Sequence, residues 1–335
     1  MSGVENITIV KAINVALDEA MAADSRVFLI GEDIADPQGG GVFKASQGLS
    51  TKYGEARVRA SPIAEQAIMG AAVGAAINGM RPVAEIMFMN FLTVCMDQVV
   101  NHAAKLRFMS GGKTAVPLTI RCATGAGVGF AGQHSDMLEA WFAHVPGLRI
   151  VTASNPADAQ GLIRSAIEDD DPTIVIENIM TYWTQGPAAA PGHKVPLGKA
   201  RVSREGSDVT VITYGRPVLA AEKVAAALAE EEGLSVEVID LRTIAPFDAE
   251  AVFKSVAKTN RAVVIHEAVQ AFGAGAEISS RIHEELFGQL KAPVRRLGSR
   301  YSPVPYSPPL EQAFLAGEDD IRAAIKGTLD WRGGR

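Results

Sequence analysis

A chain of 335 residues with a hydrophobic fraction of 47% has room for two domains of ordinary size and is too apolar to be disordered. Its net charge is −6 and no lysine- or arginine-rich run appears, which leaves nucleic-acid binding without support. Cys95 and Cys122, its two cysteines, fall in different predicted elements, make no metal-ligand spacing and fit a reducing compartment. The N-terminus lacks a basic-then-apolar signal and the apolar run from Ala67 to Ile77 is too short to span a bilayer, so a soluble, cytoplasmic protein is expected.

Apolar residues at Ile9, Ile13, Ala16, Leu17 and Ala20 have helical spacing and predict a helix over 8–23. Val27-Phe28-Leu29-Ile30, stopped by Gly31, reads as a buried strand. Glu32 and Asp33 stand at its carboxyl end, where open α/β sheets place ligands, although solvated loop acids are the plainer reading. Residues 36–41 are a loop by their turn chemistry.

Ser61 reads as an N-cap and Pro62 as the first position of a helix running to about Asn78. From Ala67 to Ile77 every residue is apolar or glycine, so this helix is expected to be buried all round. Glu65 has no partner within it, and position 64, where a capping-box glutamate would fall, is alanine. Two readings stay open: an acid favoured by the helix dipole, or a carboxylate that is costly at a buried helix mouth unless paired, protonated or used.

Gly79 stops that helix and residues 83–88 form a strand. Phe91, Val94, Cys95, Val99, Ala103 and Leu106 then predict one helix over 91–109. Met87 and Phe91 straddle the junction and by spacing alone read as core. After a strand over 116–122, Gly127, Gly129 and Gly132 satisfy G-x-G-x-x-G. The next strand, 148–151, ends in Thr152-Ala153-Ser154-Asn155 without the acid that would hold a ribose, so a dinucleotide site is set aside. The glycines instead describe a flexible loop delivering Gln133-His134-Ser135-Asp136, with a helix starting near Asp136. A histidine there can exchange protons near neutral pH. Ser135 and Asp136 invite a hydrolase triad, but they are sequence neighbours and no G-x-S-x-G elbow exists.

Residues 156–168 are helical and amphipathic, and 173–177 form a strand. The acids at 169–171 between them are most simply a solvated turn, although acids and carbonyls together could hold a cation. A Pro/Gly/Ala-rich stretch within 185–198 is the best linker. Beyond it, strands at 209–213, 236–239, 262–266 and 294–297 alternate with helices at 217–231, 249–258 and 274–287, and a tail helix spans 318–326. The fold class is therefore α/β with two parallel-sheet domains, expected at 1–185 and 201–335 with a linker at 186–200.

Several runs together carry a resemblance. They are Gly31-Glu32-Asp33, Ser61-Pro62-Ile63-Ala64-Glu65, Arg81-Pro82-Val83-Ala84-Glu85-Ile86-Met87 and Asp97-Gln98 through Ala104-Lys105. Gln133-His134-Ser135, His144-Val145-Pro146-Gly147-Leu148 and Asp240-Leu241-Arg242-Thr243-Ile244-Ala245-Pro246 complete the set. In this order and spacing, over essentially the whole chain, they resemble the beta subunit of the thiamine-diphosphate-dependent decarboxylating component of 2-oxo acid dehydrogenase complexes. The pyruvate, branched-chain 2-oxo acid and acetoin types are all included.

The resemblance implies a pyrimidine-binding domain followed by a transketolase-like C-terminal domain. It implies that Glu65 hydrogen-bonds N1′ of the aminopyrimidine of thiamine diphosphate and drives the tautomer that deprotonates thiazolium C2; a raised carboxyl proton affinity would suit that relay. Ile63, Met87 and Phe91 are implied cofactor contacts, and His134 an active-site histidine for reductive acylation of the lipoyl group. Leu118, Ala166, Ile167, Asp169 and Asp171 match a structural potassium site of some members, which often carry asparagine at the Asp171 position. The family's Gly-Asp-Gly and paired asparagines, which hold diphosphate and magnesium, are absent from this sequence. In the family they lie on an alpha subunit, which implies a cofactor held between subunits, an α2β2 heterotetramer inactive without alpha, and docking on a dihydrolipoyl acyltransferase core through the C-terminal domain. Gly70 and Gly74, four apart on the apolar helix, suit close packing against a partner's helix. The expected reaction is decarboxylation of a 2-oxo acid and acyl transfer to lipoamide, with acetoin cleavage to acetaldehyde as the close alternative. A self-sufficient transketolase lacks its diphosphate motif here. A non-catalytic scaffold is disfavoured by Glu65, Met87, Phe91 and His134.

Overall fold

The computed structural model describes residues 5–333. They divide into two compact units. One holds the chain up to Thr124 together with Trp141–Leu197; the other holds Gly125–Ala140 and the chain from Gly198 onward.

In the first unit, strands β1 (Asn6–Thr8), β2 (Val27–Glu32), β3 (Val58–Ser61), β4 (Arg81–Phe88), β5 (Thr119–Thr124), β6 (Arg149–Thr152), β7 (Thr173–Asn178) and β8 (Gln185–Pro187) alternate with helices α1 (Ile9–Ala23), α2 (Leu49–Tyr53), α3 (Glu65–Ile77), α4 (Leu106–Met109), α5 (Glu139–Ala143) and α6 (Pro156–Glu168). Six of these strands are parallel neighbours in the order β6-β7-β5-β4-β2-β3. The central strands β5 and β7 are buried along their whole length, as parallel strands covered on both faces must be. β1 and β8 pair antiparallel as a separate ribbon. The helix at 8–23 forms as its spacing predicts: Thr8 caps α1 by accepting from the Lys11 N–H at 3.2 Å, and its stripe of Ile13, Leu17 and Ala20 packs toward α6.

The second unit adds β9 (Arg201–Arg204), β10 (Val209–Thr213), β11 (Val236–Asp240), β12 (Thr243–Ala245), β13 (Ala262–Val269) and β14 (Arg295–Ser299) with α7 (Arg216–Glu232), α8 (Ala249–Thr259), α9 (Ala274–Leu286), α10 (Pro308–Phe314) and α11 (Glu318–Leu329). Its sheet order is β14-β13-β10-β11-β9, parallel except at the β9 edge. Val211, Val224, Leu228, Ile321 and Ile325 pack α7 and α11 onto that sheet.

Four expectations need correction. The helix at Glu65 does not begin at Ser61, because Ser61 is the last paired residue of β3, opposite Glu32; the N-cap is Ala64. Nor is that helix buried all round: Ile68, Met69, Ala72, Val73 and Ala76 face inward, while Ala67, Gly70, Ala71 and Ile77 are exposed. The single helix over 91–109 is three short pieces, a 3-10 turn at Met89–Thr93, a π turn at Gln98–Ala103 and α4. There the Thr93 hydroxyl donates to the Asn90 carbonyl at 2.7 Å and the Ala104 N–H reaches back to Val99 at 3.0 Å, so local bonds replace the regular ladder. Buried Cys95, Val99 and Ala103 supply the helical spacing all the same. The helix expected near Asp136 starts at Glu139.

Candidate active site

β2 lies between β3 and β4, with Glu32 opposite Ser61 and Gly31 opposite Glu85. The carboxyl ends of these three strands therefore emerge side by side, the usual ligand position of an open parallel sheet. Four residues after the end of β3, Glu65 occupies the first turn of α3, half-buried, at a helix start with no side-chain cap. The helix dipole favours a negative group there. Glu32 stands close by: burial pushes its carboxyl above the usual range, and the charges of Asp33 and Glu65 add to the effect. Burial, again with Glu65 adding, pushes the Cys95 thiol up to about 12, so this cysteine is inert.

Met87 and Phe91 are not core residues. Both are half-buried, whereas Ile86, Phe88, Met89 and Leu92 take the core positions. The strand alternates its faces, and Met87 shares the outer one with Glu85 in a small cleft also lined by Arg121 and Tyr182. Phe91 sits edge-on to Phe88 with ring centres 5.7 Å apart. Ile63 is 75% exposed, so it contacts nothing extensive within this chain.

A polar network beneath this edge escaped the sequence reading. Arg121, 2% exposed, donates from Nε and Nη2 to both oxygens of Glu177 at 2.7 and 2.8 Å and from Nη1 to Glu85 at 2.6 Å. The Tyr182 hydroxyl donates at 2.7 Å to Glu177 Oε2, the oxygen that Arg121 Nη2 also holds. Burial, with the Glu177 charge adding and Arg121 opposing, leaves the Glu85 carboxyl above its ordinary value. Two acids and one guanidinium are spread over three strands, so no local motif announces them.

His134 belongs to the second unit, half-buried on the glycine-rich loop. Gly125, Gly127 and Gly129 all take positive φ there, at 118°, 117° and 72°, which explains the glycines. The N–H groups a dinucleotide phosphate would need are occupied: Gly127 and Gly129 donate to Glu311, and Ala126 donates to Glu267 at 2.9 Å. The hydrolase triad does not form, since Ser135 Oγ is buried without a hydrogen-bond partner.

Of the expected potassium ligands, Ile167, Asp169 and Asp171, in the first unit, are held by guanidinium groups. Arg81 Nη1 donates to the carbonyls of Ile167 and Asp169 at 3.0 and 2.9 Å. Arg149 pairs with the Asp169 carboxylate and lies 3.3 Å from Asp171, which also accepts from Arg107 at 2.7 Å. The Leu118 carbonyl accepts from the Thr173 N–H at 2.9 Å, and Ala166 is buried in α6. A donor set already neutralised by three arginines does not fit a monovalent cation. Among the described residues no cluster of three or more His, Cys, Asp or Glu side chains could hold a metal, and no helix is long and apolar enough to cross a membrane.

Family models agree with this architecture. The transketolase pyrimidine-binding domain matches residues 5–182 and the transketolase C-terminal domain residues 198–321. The chain is 41% identical over 337 residues to the acetoin:2,6-dichlorophenolindophenol oxidoreductase subunit beta of Cupriavidus necator, covering 98% of each. It is 43% identical over 329 residues to the mitochondrial pyruvate dehydrogenase E1 component subunit beta of Rattus norvegicus, covering 97% of this chain and 91% of that one. Among solved structures, a split gene transketolase described as an inactive beta4 tetramer superposes with a TM-score of 0.77 at 21% identity, covering 96% and 98% of the two chains, a likeness of fold.

Proposed function

We propose, for a chain that belongs to the family of thiamine-diphosphate-dependent dehydrogenase beta subunits of the pyruvate and acetoin type, that it supplies the pyrimidine half of a cofactor site completed by an alpha subunit. The observation that carries this reading is Glu65 on the uncapped first turn of α3, at the carboxyl edge of a parallel sheet, with Met87 and Phe91 half-exposed at the end of β4. Bound thiamine diphosphate would supply a nucleophilic carbon that adds to the substrate carbonyl and takes up the electron pair when the carbon–carbon bond breaks. Glu65 holds a proton at the cofactor's pyrimidine nitrogen. Met87 and Phe91 offer apolar surface to that ring, and Ile63 closes on it once a second chain covers the site. His134 passes a proton to the lipoyl sulfur during acyl transfer.

The second chain is expected for two reasons. This sequence has no diphosphate motif, so the anionic and magnesium-binding half of the site comes from elsewhere. In addition, α3 leaves Ala67, Gly70, Ala71 and Ile77 in water, an apolar strip suited to a partner helix. We take the assembly to be an α2β2 heterotetramer in the cytoplasm, docked on a dihydrolipoyl acyltransferase core through the second unit. We further propose that Arg81, Arg107 and Arg149 do the structural work that potassium does in some relatives. Pyruvate is the first substrate to try. Acetoin, cleaved to acetaldehyde in place of carbon dioxide, is the second, because the Cupriavidus necator protein and its Bacillus subtilis counterpart are 41% and 42% identical.

Glu65→Gln tests the reading in the enzyme co-expressed with its alpha subunit. Losing the proton carrier should lower turnover by about 100-fold or more while the subunits still assemble. Full turnover in the variant would refute it. Calorimetry with thiamine diphosphate and magnesium should give binding by the co-expressed pair and none by this chain alone.

A further inference from the structure

We infer that Glu311 is a positioning residue for acyl transfer: its carboxylate fixes the backbone of the loop that carries His134. The inference rests on the reading of His134 given above. Three glycines at positive φ leave this loop no side-chain steering of its own, so its shape must be imposed from outside. The imposing groups come from elsewhere in the second unit. Glu311 accepts the Gly127 N–H at 2.6 Å and the Gly129 N–H at 3.0 Å, and Arg216 donates to the Ala126 carbonyl at 2.7 Å. Ala126 packs against Val304 and Phe314, on either side of Glu311 in the chain. A Cβ placed on Gly132 would already touch Pro303 at 3.4 Å. Two residues after Gly129 the chain turns at Ala131, φ 59°, and brings the His134 N–H to the Ala131 carbonyl at 3.4 Å. With Gly127 and Gly129 pinned, little freedom remains in where His134 stands.

The choice of a carboxylate for this task is informative. Glu311 is 3% exposed, and the partners that hold its carboxylate are these backbone N–H groups. A buried acid held by amide donors is a poor way to gain stability, because desolvation offsets much of the interaction. It is a good way to fix two N–H directions a residue apart in a loop, since charge-assisted bonds are short and directional. Glu311 does not touch substrate; it acts through the loop.

The test uses Glu311→Gln and Glu311→Ala in the co-expressed enzyme, with His134→Ala in parallel. Amide exchange is followed at 127–129. Turnover is measured both with 2,6-dichlorophenolindophenol and with free lipoamide as acceptor. Loss of a charge-assisted bond should speed exchange at Gly127 and Gly129 roughly tenfold or more. It should lower the kcat with lipoamide about tenfold relative to the dye reaction, with glutamine between alanine and wild type. Unchanged exchange in both variants, or an equal fall of the two reactions, would overturn the inference. If His134→Ala leaves the lipoamide reaction intact, the role of His134 is wrong instead, and the exchange data show separately whether the clamp exists. Should Glu311→Ala not fold, Glu311→Gln alone decides.

Discussion

Replacing Arg121 by methionine should cost the first unit about 3–5 kcal/mol, because the change removes one partner of a buried ionic group and leaves the others behind. Three donors vanish from contacts of 2.6–2.8 Å, and Glu85 and Glu177 then face each other across β5 without a counter-charge. Methionine fills much of the volume, so the loss reports charge more than cavity. The charge origin fixes the pH dependence. Burial already holds Glu85 above the ordinary carboxylate value of 4.5, and removing Arg121 raises it further. A folded-state value above the unfolded one means that the folded protein binds the extra proton between the two. Stability then falls as pH rises through that window. The variant should therefore lose more at pH 8 than at pH 5, by about 1.4 kcal/mol for each unit of further upward shift. Urea denaturation at both pH values, with fluorescence and circular dichroism, measures this. A loss under about 1 kcal/mol, or equal losses at the two pH values, would refute the reasoning. Adding Glu177→Gln should recover part of the loss, as coupled neighbours require.

Glu237 gives the opposite sign. Burial would raise its carboxyl, but Lys258, the Ser255 hydroxyl and the Gly206 N–H outweigh it and hold the group below 4.5. Its contribution is present above that value and lost as pH falls below it, so Glu237→Gln should flatten the acid side of the melting-temperature profile. At the arginine-held corner, potassium and sodium chloride at equal ionic strength should give coinciding melting temperatures. A potassium-specific rise would show that Asp169 and Asp171 hold the ion after all.

The parallel α/β architecture was legible because Val/Ile runs and helical periodicity repeat along the chain, and both are local signals. What periodicity cannot report is which strand a residue joins. Ser61 has every property of an N-cap, yet the pairing with Glu32 makes it strand. The apolar run of α3 gave no hint that one face stays in water, because alanine, glycine and isoleucine on an exposed face have the composition of a core. Glu65 and His134 stood out because a carboxylate at an apolar helix mouth and a histidine after glycines are unusual in themselves. Arg121 and Glu311 did not, since the partners of Arg121 lie 36 and 56 residues away and those of Glu311 more than 180. The potassium set shows the same limit in reverse: the contacts of Asp169 and Asp171 with Arg81, Arg107 and Arg149 span 20 to 88 residues of sequence, and no local run of residues announces them.

The pairing of β1 with β8 sets a schedule for folding. Asn6–Thr8 is made well before its strand partner, Gln185–Pro187. At roughly 5–20 residues per second, the early strand waits about 10–40 s for its match. Inside the sheet the delay repeats on a smaller scale, because β5 gains its second neighbour only when β7 has been made. Until then Ile- and Val-rich strands are exposed on an unfinished sheet, the condition in which nascent chains aggregate and chaperones engage them.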